Sequence, residues 1–147
     1  MEFRAYMERY FARYPGVERY VQLTREKAKQ MGYVETVLGR RLWLPEINNA
    51  NGNRRQGAER AAINAPMQGT AADIIKLAMI AVLNWLQQDK LRSKLIMQVH
   101  DELVLEVPDD EIALMKNALP SYMSQVLQLD VPLLIEVGVG NNWEQAH

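Results

Sequence analysis

Leu95-Ile96-Met97-Gln98-Val99-His100 is followed, after Asp101-Glu102, by Leu103-Val104-Leu105-Glu106-Val107. Both runs are short, apolar and rich in aliphatic residues, so they read as two strands. The pair between them predicts a hairpin with Asp101-Glu102 at a tight turn. Successive side chains on a strand point to opposite faces. A turn breaks that alternation, so both carboxylates can reach one solvent-facing site. Two like charges this close repel, and a divalent cation would relieve the repulsion. Aspartate is also a favoured turn residue, and a bare His-Asp-Glu is ordinarily a solvated turn. The apolar strands pressed around this one argue against so plain a reading.

Downstream, Pro108 closes the second strand and Asp109, Asp110 and Glu111 fit the first turn of a helix running to about Gln128. Residues 133–139 (LLIEVGV) read as a final strand. Upstream, about 54–88 is helical, with Pro66 expected to kink or restart it near 64–66. Its second half, with Ile74, Ile75, Ala78, Met79, Val82, Leu83 and Leu86, is apolar enough for a core helix. Tyr33–Val37 and Arg40–Leu44 form a hairpin around Leu38-Gly39, ended by Pro45, and 46–53 is a loop. Residues 3–31 are helical, and Pro15-Gly16 divides them into two helices that stop at Gly32. The order of elements predicts an α+β fold, with an antiparallel sheet backed by helices.

The 147 residues carry a net charge of −1, unevenly distributed. Residues 1–60 hold 12 Lys and Arg against 7 Asp and Glu, and residues 61–147 hold 5 against 11. A basic half can meet phosphates and an acidic half can hold a cation. There is no cysteine, which excludes disulfides, thiolate zinc sites and a cysteine nucleophile. With two histidines, His100 and His147, any hard-cation site must be built from carboxylates. No unbroken run of about 18 apolar residues occurs, so no membrane span is expected. The opening MEFRAYMERY lacks the apolar core of a signal peptide, and a cytoplasmic protein is expected.

Arg60, Asn64 and Gln68 recur at i, i+4 and i+8 and share one helical face. Arginine grips phosphate with a planar fork, and Asn and Gln can read or brace a base edge. Arg54 and Arg55 precede them and add positive charge. The neighbours Ala58, Ala61, Ala62, Ala65, Ala71 and Ala72 are small enough for a large partner to approach, and Gly69-Thr70 adds local permissiveness. Three polar residues on a helix are ordinarily a solvated face, so this reading competes with that one. Arg40 and Arg41 could touch a backbone phosphate or be a solvated turn. Trp43, Trp85 and Trp143 read as core or core-edge residues, and the methionines as packing. Gly138-Val139-Gly140 has no following helix and is not a phosphate cradle.

The chain resembles the C-terminal end of the bacterial family A DNA polymerases, from about Tyr6 to His147. The resemblance rests on Tyr14–Val17 (YPGV), Gly32–Thr36 (GYVET), Gly39-Arg40-Arg41, Glu59–Lys76 (ERAAINAPMQGTAADIIK), Met97–Val107 (MQVHDELVLEV) and the closing NWEQAH. The two longest segments are highly specific, and the first five residues, MEFRA, depart from the pattern. The resemblance implies a palm-type antiparallel sheet carrying a catalytic hairpin, with N-terminal helices from the fingers. About 1–53 would be the end of the fingers with its hairpin, and about 54–147 the later palm. It implies template-directed nucleotidyl transfer with Mg²⁺, in which a primer 3′ hydroxyl attacks an α-phosphate and two metals stabilise the attacking and leaving oxygens. Carried over, Asp101 is a catalytic metal ligand and Glu102 an acidic neighbour of the metal site. Gln98 and His100 lie near the primer terminus. Arg60, Asn64 and Gln68 contact template and primer, with Arg40, Arg41 and Arg54 as further DNA contacts. The partners implied are primer–template DNA and deoxynucleoside triphosphates.

The family's other metal-binding aspartate, in an Asp-Tyr-Ser-Gln strand, has no counterpart here, nor has the fingers helix that holds the triphosphate. The chain alone is therefore expected not to polymerise, and to self-associate through a sheet edge left without its neighbour. A non-catalytic DNA-binding module remains the alternative reading. A carboxylate-metal hydrolase centred on Asp101 lacks supporting ligands.

Overall fold

A computed structural model describes residues 2–146. They form α1 (Glu2–Arg13), α2 (Pro15–Met31), β1 (Tyr33–Glu35), β2 (Arg41–Trp43), α3 (Gly52–Gln88), β3 (Lys94–Val99), β4 (Glu102–Glu106), a 3₁₀ turn (Asp109–Glu111), α4 (Ile112–Ser124) and α5 (Trp143–Ala146). The α+β class holds, and the antiparallel pairing takes the form of two separate two-stranded sheets, β1–β2 and β3–β4. The chain divides into two compact units, Met1–Thr70 and Ala71–His147.

In the first unit, Pro15 opens α2, where its missing N–H costs nothing, and Gly32 ends it at φ 76°. Asn48 Nδ2 donates to the Lys29 carbonyl at 2.9 Å, satisfying an acceptor left over at that helix end. Lys29 (2.8 Å) and Arg25 (3.9 Å) of α2 both reach Glu59 of α3, and the Lys29 hydrogen bond holds the Glu59 carboxyl below its ordinary pKa. The core consists of Ala28, Val34, Leu44, Ile47 and Ala62, with Ala58, Ala61 and Ala65 packed against it. The Asn-rich loop caps α3. Asn51 Oδ1 accepts from the Asn53 and Arg54 N–H groups.

In the second unit, the later half of α3 supplies Ala78, Val82, Trp85 and Leu86 to a core shared with Met115, Leu119 and Met123 of α4. Leu103, Leu105 and Val107 pack on it, so the β3–β4 hairpin is backed by helices. Trp85 stacks on Tyr122 with ring centroids 4.5 Å apart. The end of α3 is closed by Lys90 at φ 52°, with Leu91 N–H on the Leu86 carbonyl and Lys90 N–H on that of Gln87. Glu111 accepts from the Arg92 and Ser93 N–H groups, 2.9 Å each, and from the Ser93 hydroxyl.

Four expectations need correction. Of the kink or restart expected near Pro66, the restart does not occur, since Pro66 lies inside one continuous helix. Residues 133–139 are extended but form no strand among the described residues. The period-2 pattern is present, since Ile135 and Val137 pack on the core while Leu134 is 85% exposed. A strand also needs a neighbour to take its backbone hydrogen bonds, and none pairs with this segment. Helix α4 stops at Ser124, short of Gln128. Trp43 is 63% exposed and Trp143 45%, so only Trp85 of the three tryptophans is core.

Among the described residues, α3 alone is long and apolar enough to cross a membrane by length and composition. Its apolar stretch is interrupted by polar residues such as Asp73, Lys76 and Asn84, so it holds no unbroken apolar run of the kind expected of a span. Its large residues Val82, Trp85 and Leu86 are buried against α4, as in a core helix.

Candidate nucleic-acid interface and carboxylate turn

The first cluster lies on α3. Arg60, Asn64 and Gln68 are all exposed, and among the described residues none of their side chains makes a hydrogen bond or ion pair. Their polar atoms are thus unspent, along one stripe of a helix whose opposite side is packed. The small neighbours are arranged otherwise than the sequence suggests. Ala58, Ala61, Ala62 and Ala65 face the core of their own unit, where small side chains admit α2 and β1 closely. Of the six alanines, Ala71 is the exposed one.

The other basic candidates have internal partners. Arg40 Nη2 donates to the Gly69 carbonyl at 3.0 Å. Arg41 pairs with Glu35 at 2.9 Å and lies 4.5 Å over the Tyr33 ring. That hydrogen bond to Glu35, followed by Tyr33, raises the Arg41 pKa above its ordinary value. Arg55 donates to the Asn49 carbonyl at 2.9 Å. Arg54 keeps an exposed guanidinium, 3.7 Å from Glu46.

The second cluster is the β3–β4 turn. Val99 pairs with Glu102, so the two turn residues are His100 and Asp101, and Glu102 belongs to β4. The turn sits one residue earlier than the sequence suggests, because His100 takes φ 52°, the left-handed conformation that tight hairpins use. Asp101 and His100 are exposed and Glu102 is half-buried. The flanking strands are less buried than expected, with Ile96 58% and Met97 40% exposed. Ile96 is the extra residue of a bulge between the Leu95–Leu105 and Met97–Val104 pairs. Gln98 Nε2 donates to the His100 carbonyl across the turn.

Asp101 makes no side-chain hydrogen bond or ion pair among the described residues, so both its oxygens are available. Asp101 and Glu102 line one part of a trough of about 1460 Å³, which also borders α4 and the extended segment after it. Mg²⁺ is commonly held by one or two carboxylates with waters and substrate phosphates. Asp101 suits such an ion as a single ligand. Among the described residues no three acidic or histidine side chains gather into a complete ligand set.

Sequence reasoning missed the residues that hold these sites in place. Thr36, Thr70 and Tyr20 each bond a backbone group, and Asn51 caps α3. An asparagine immediately before the helix start, with Arg54 and Arg55 following, was the readable signal for the cap. Nothing in the local sequence marks the long-range bonds.

The model of DNA polymerase family A matches residues 1–145, so the opening MEFRA lies inside the match. The chain is 58% identical over 146 residues to DNA polymerase I of Pseudomonas aeruginosa, covering 99% of this chain and 16% of that protein. It is 47% identical over 141 residues to DNA polymerase I of Geobacillus stearothermophilus, covering 96% and 16%. The chain thus spans about a sixth of the length of these relatives. The POL domain of Pol1 from M. smegmatis, solved in complex with DNA primer-template and dNTP, superposes with a TM-score of 0.96 at 46% identity, covering 99% of this chain and 26% of that one. This chain therefore belongs to the DNA polymerase family A.

Proposed function

We propose that the chain is the part of a template-directed DNA polymerase that grips primer–template DNA through α3 and presents one metal-binding carboxylate, Asp101. The observation that carries this reading is the α3 stripe. Arg60, Asn64 and Gln68 are exposed on one face of the helix, and their side chains make no hydrogen bond or ion pair among the described residues. Arg60 and Arg54 meet backbone phosphate, and Asn64 and Gln68 supply donors and acceptors to base edges and sugars. Gln98 and His100 face the primer end and Glu102 supports the carboxylate site. Arg40 and Arg41 add positive potential while bonded internally. Mg²⁺ held by Asp101 would supply charge neutralisation at the reacting phosphate. Primer–template DNA and deoxynucleoside triphosphates are the partners, nucleotidyl transfer in replication and repair the reaction, and the cytoplasm the place. Residues 1–53 act as the end of the fingers and 54–147 as later palm. The solved complex of a relative with primer-template and dNTP supports this reading.

The test is titration of a labelled primer–template duplex into the chain at two salt concentrations, with and without Mg²⁺. Binding that weakens steeply with salt, and is lost when Arg60→Ala and Asn64→Ala are combined, is expected. No binding by a folded chain overturns the reading of the α3 face. Primer extension by these 147 residues alone is expected to be nil, and Mg²⁺-dependent incorporation would overturn that part. Self-association through the free edges of β3–β4 belongs to the same proposal and is checked by sedimentation.

A stand-alone DNA-binding module without catalysis is the second reading, favoured by the lack of a complete ligand set among the described residues. Mn²⁺ separates the two. Paramagnetic broadening of resonances at Asp101, absent in Asp101→Asn, supports the polymerase reading. No broadening supports the module.

A further inference from the structure

Three carbonyls of α3, at Ile63, Pro66 and Gly69, receive side-chain donors beyond the ordinary helix bonds. Tyr20 of α2 donates its hydroxyl to Ile63 at 2.9 Å. Thr70 donates its own to Pro66 at 2.6 Å. Arg40 donates a guanidinium N–H to Gly69 at 3.0 Å. Spaced three residues apart, they run along one side of the helix, nearly opposite the stripe of Arg60, Asn64 and Gln68. They also surround Pro66, where the ring removes a backbone donor and crowds the preceding turn.

The β1–β2 hairpin supplies the outer half of this arrangement. Its turn is closed by Gly39 N–H on the Thr36 carbonyl at 3.0 Å, with Gly39 at φ 81°. The Val37 N–H, left out of the strand ladder, donates to the Thr70 hydroxyl at 3.0 Å. Thr70 is 8% exposed, and its hydroxyl accepts from the hairpin while donating to Pro66. At Gly69, a Cβ would lie 2.6 Å from the Thr36 methyl, so only glycine lets the turn sit this close.

We infer that Thr70, seated by Gly69 and clamped by the hairpin turn at Val37 and Arg40, is a positioning residue for DNA binding. It fixes the Pro66 turn of α3 so that Gln68 stands at the angle a duplex requires. This rests on the proposed DNA-binding role of the α3 stripe, and acts through Gln68 without Thr70 touching DNA.

The experiment is a double-mutant cycle in the 147-residue chain, with a labelled primer–template duplex as probe. Thr70→Val keeps the shape and removes the hydroxyl. It is expected to weaken binding by about five- to tenfold, on the scale of one buried hydrogen bond. Thr70→Ser restores wild-type affinity. On a Gln68→Ala background, Thr70→Val costs less than about twofold, because the residue it positions is gone. Equal losses on both backgrounds overturn the inference, since a merely structural residue would act independently of Gln68. That result leaves the DNA-binding reading standing, whereas no binding by the wild-type chain overturns both. If Thr70→Val does not fold, Gly69→Ala displaces Thr36 instead and must give the same non-additive loss with Gln68→Ala.

Discussion

The two halves of α3 are held in different ways. Up to Thr70 the helix packs through alanines, with Ala62 buried and Ala58, Ala61 and Ala65 beside it, and is pinned by side-chain bonds from Tyr20 and Arg40. Beyond it, Val82, Trp85 and Leu86 bury large surfaces against Met115, Leu119 and Met123. Small residues allow close backbone approach and directional bonds, which set orientation more than stability. Large aliphatic and aromatic residues contribute stability roughly in proportion to buried area. The candidate binding stripe sits on the half whose orientation is fixed. The hairpins repeat the contrast. The β1–β2 turn is bonded to α3, while the β3–β4 turn exposes Asp101, whose carboxylate is engaged with nothing among the described residues.

Truncating the core that α4 packs against the apolar half should cost most. Leu119→Ala is expected to destabilise by about 2–5 kcal/mol, read by urea unfolding. A smaller loss than that of Gly69→Ala would break the contrast between the two halves.

Gly69→Ala should come next, at about 1–3 kcal/mol, because its methyl meets Thr36 at 2.6 Å. Twelve residues earlier on the same helix, a Cβ at Gly57 meets nothing within 4 Å. Gly57→Ala is therefore expected to stabilise by about 0.5–1 kcal/mol. Equal signs for the two would show that the hairpin does not approach α3 as described.

At the open turn, His100 holds φ 52°, which a side chain disfavours and glycine does not. His100→Gly should raise the thermal midpoint, by up to about 1 kcal/mol in stability. A fall would mean that the histidine side chain supports the turn.

The last test concerns pH. The Ser93 hydroxyl, then the Arg92 backbone N–H, hold Glu111 below its ordinary value of 4.5, against the opposing effect of burial. A depressed carboxylate contributes stability that is complete above the unfolded value and lost as pH falls through the folded one. Stability should therefore fall on acidification below about 4.5. Glu111→Gln should flatten that acid limb, as measured by urea midpoints from about pH 7 to about pH 3.

Much of this was legible in the residues. Period-3.6 and period-2 patterns marked the helices and both hairpins, because side-chain direction repeats with backbone geometry. Pro15 and Gly32 marked helix ends for the same local reason. The spacing of Arg60, Asn64 and Gln68 placed them on one face, and the long segments around them and around Asp101 carried the family. Other features depended on what comes near in space. Whether 133–139 becomes a strand depends on a neighbour to bond. Whether Pro66 breaks α3 depends on the contacts made to the helix around it. Whether Arg40 faces solvent or the Gly69 carbonyl depends on the hairpin folding back across 29 residues of sequence. Local sequence determined the elements, their faces and the chemical groups on offer. Tertiary structure decided which of those groups were used inside the protein and which, like the side chains of Gln68 and Asp101, stayed unengaged among the described residues. A hydrogen bond needs both ends within about 3 Å, and sequence spacing sets that distance only within a single element.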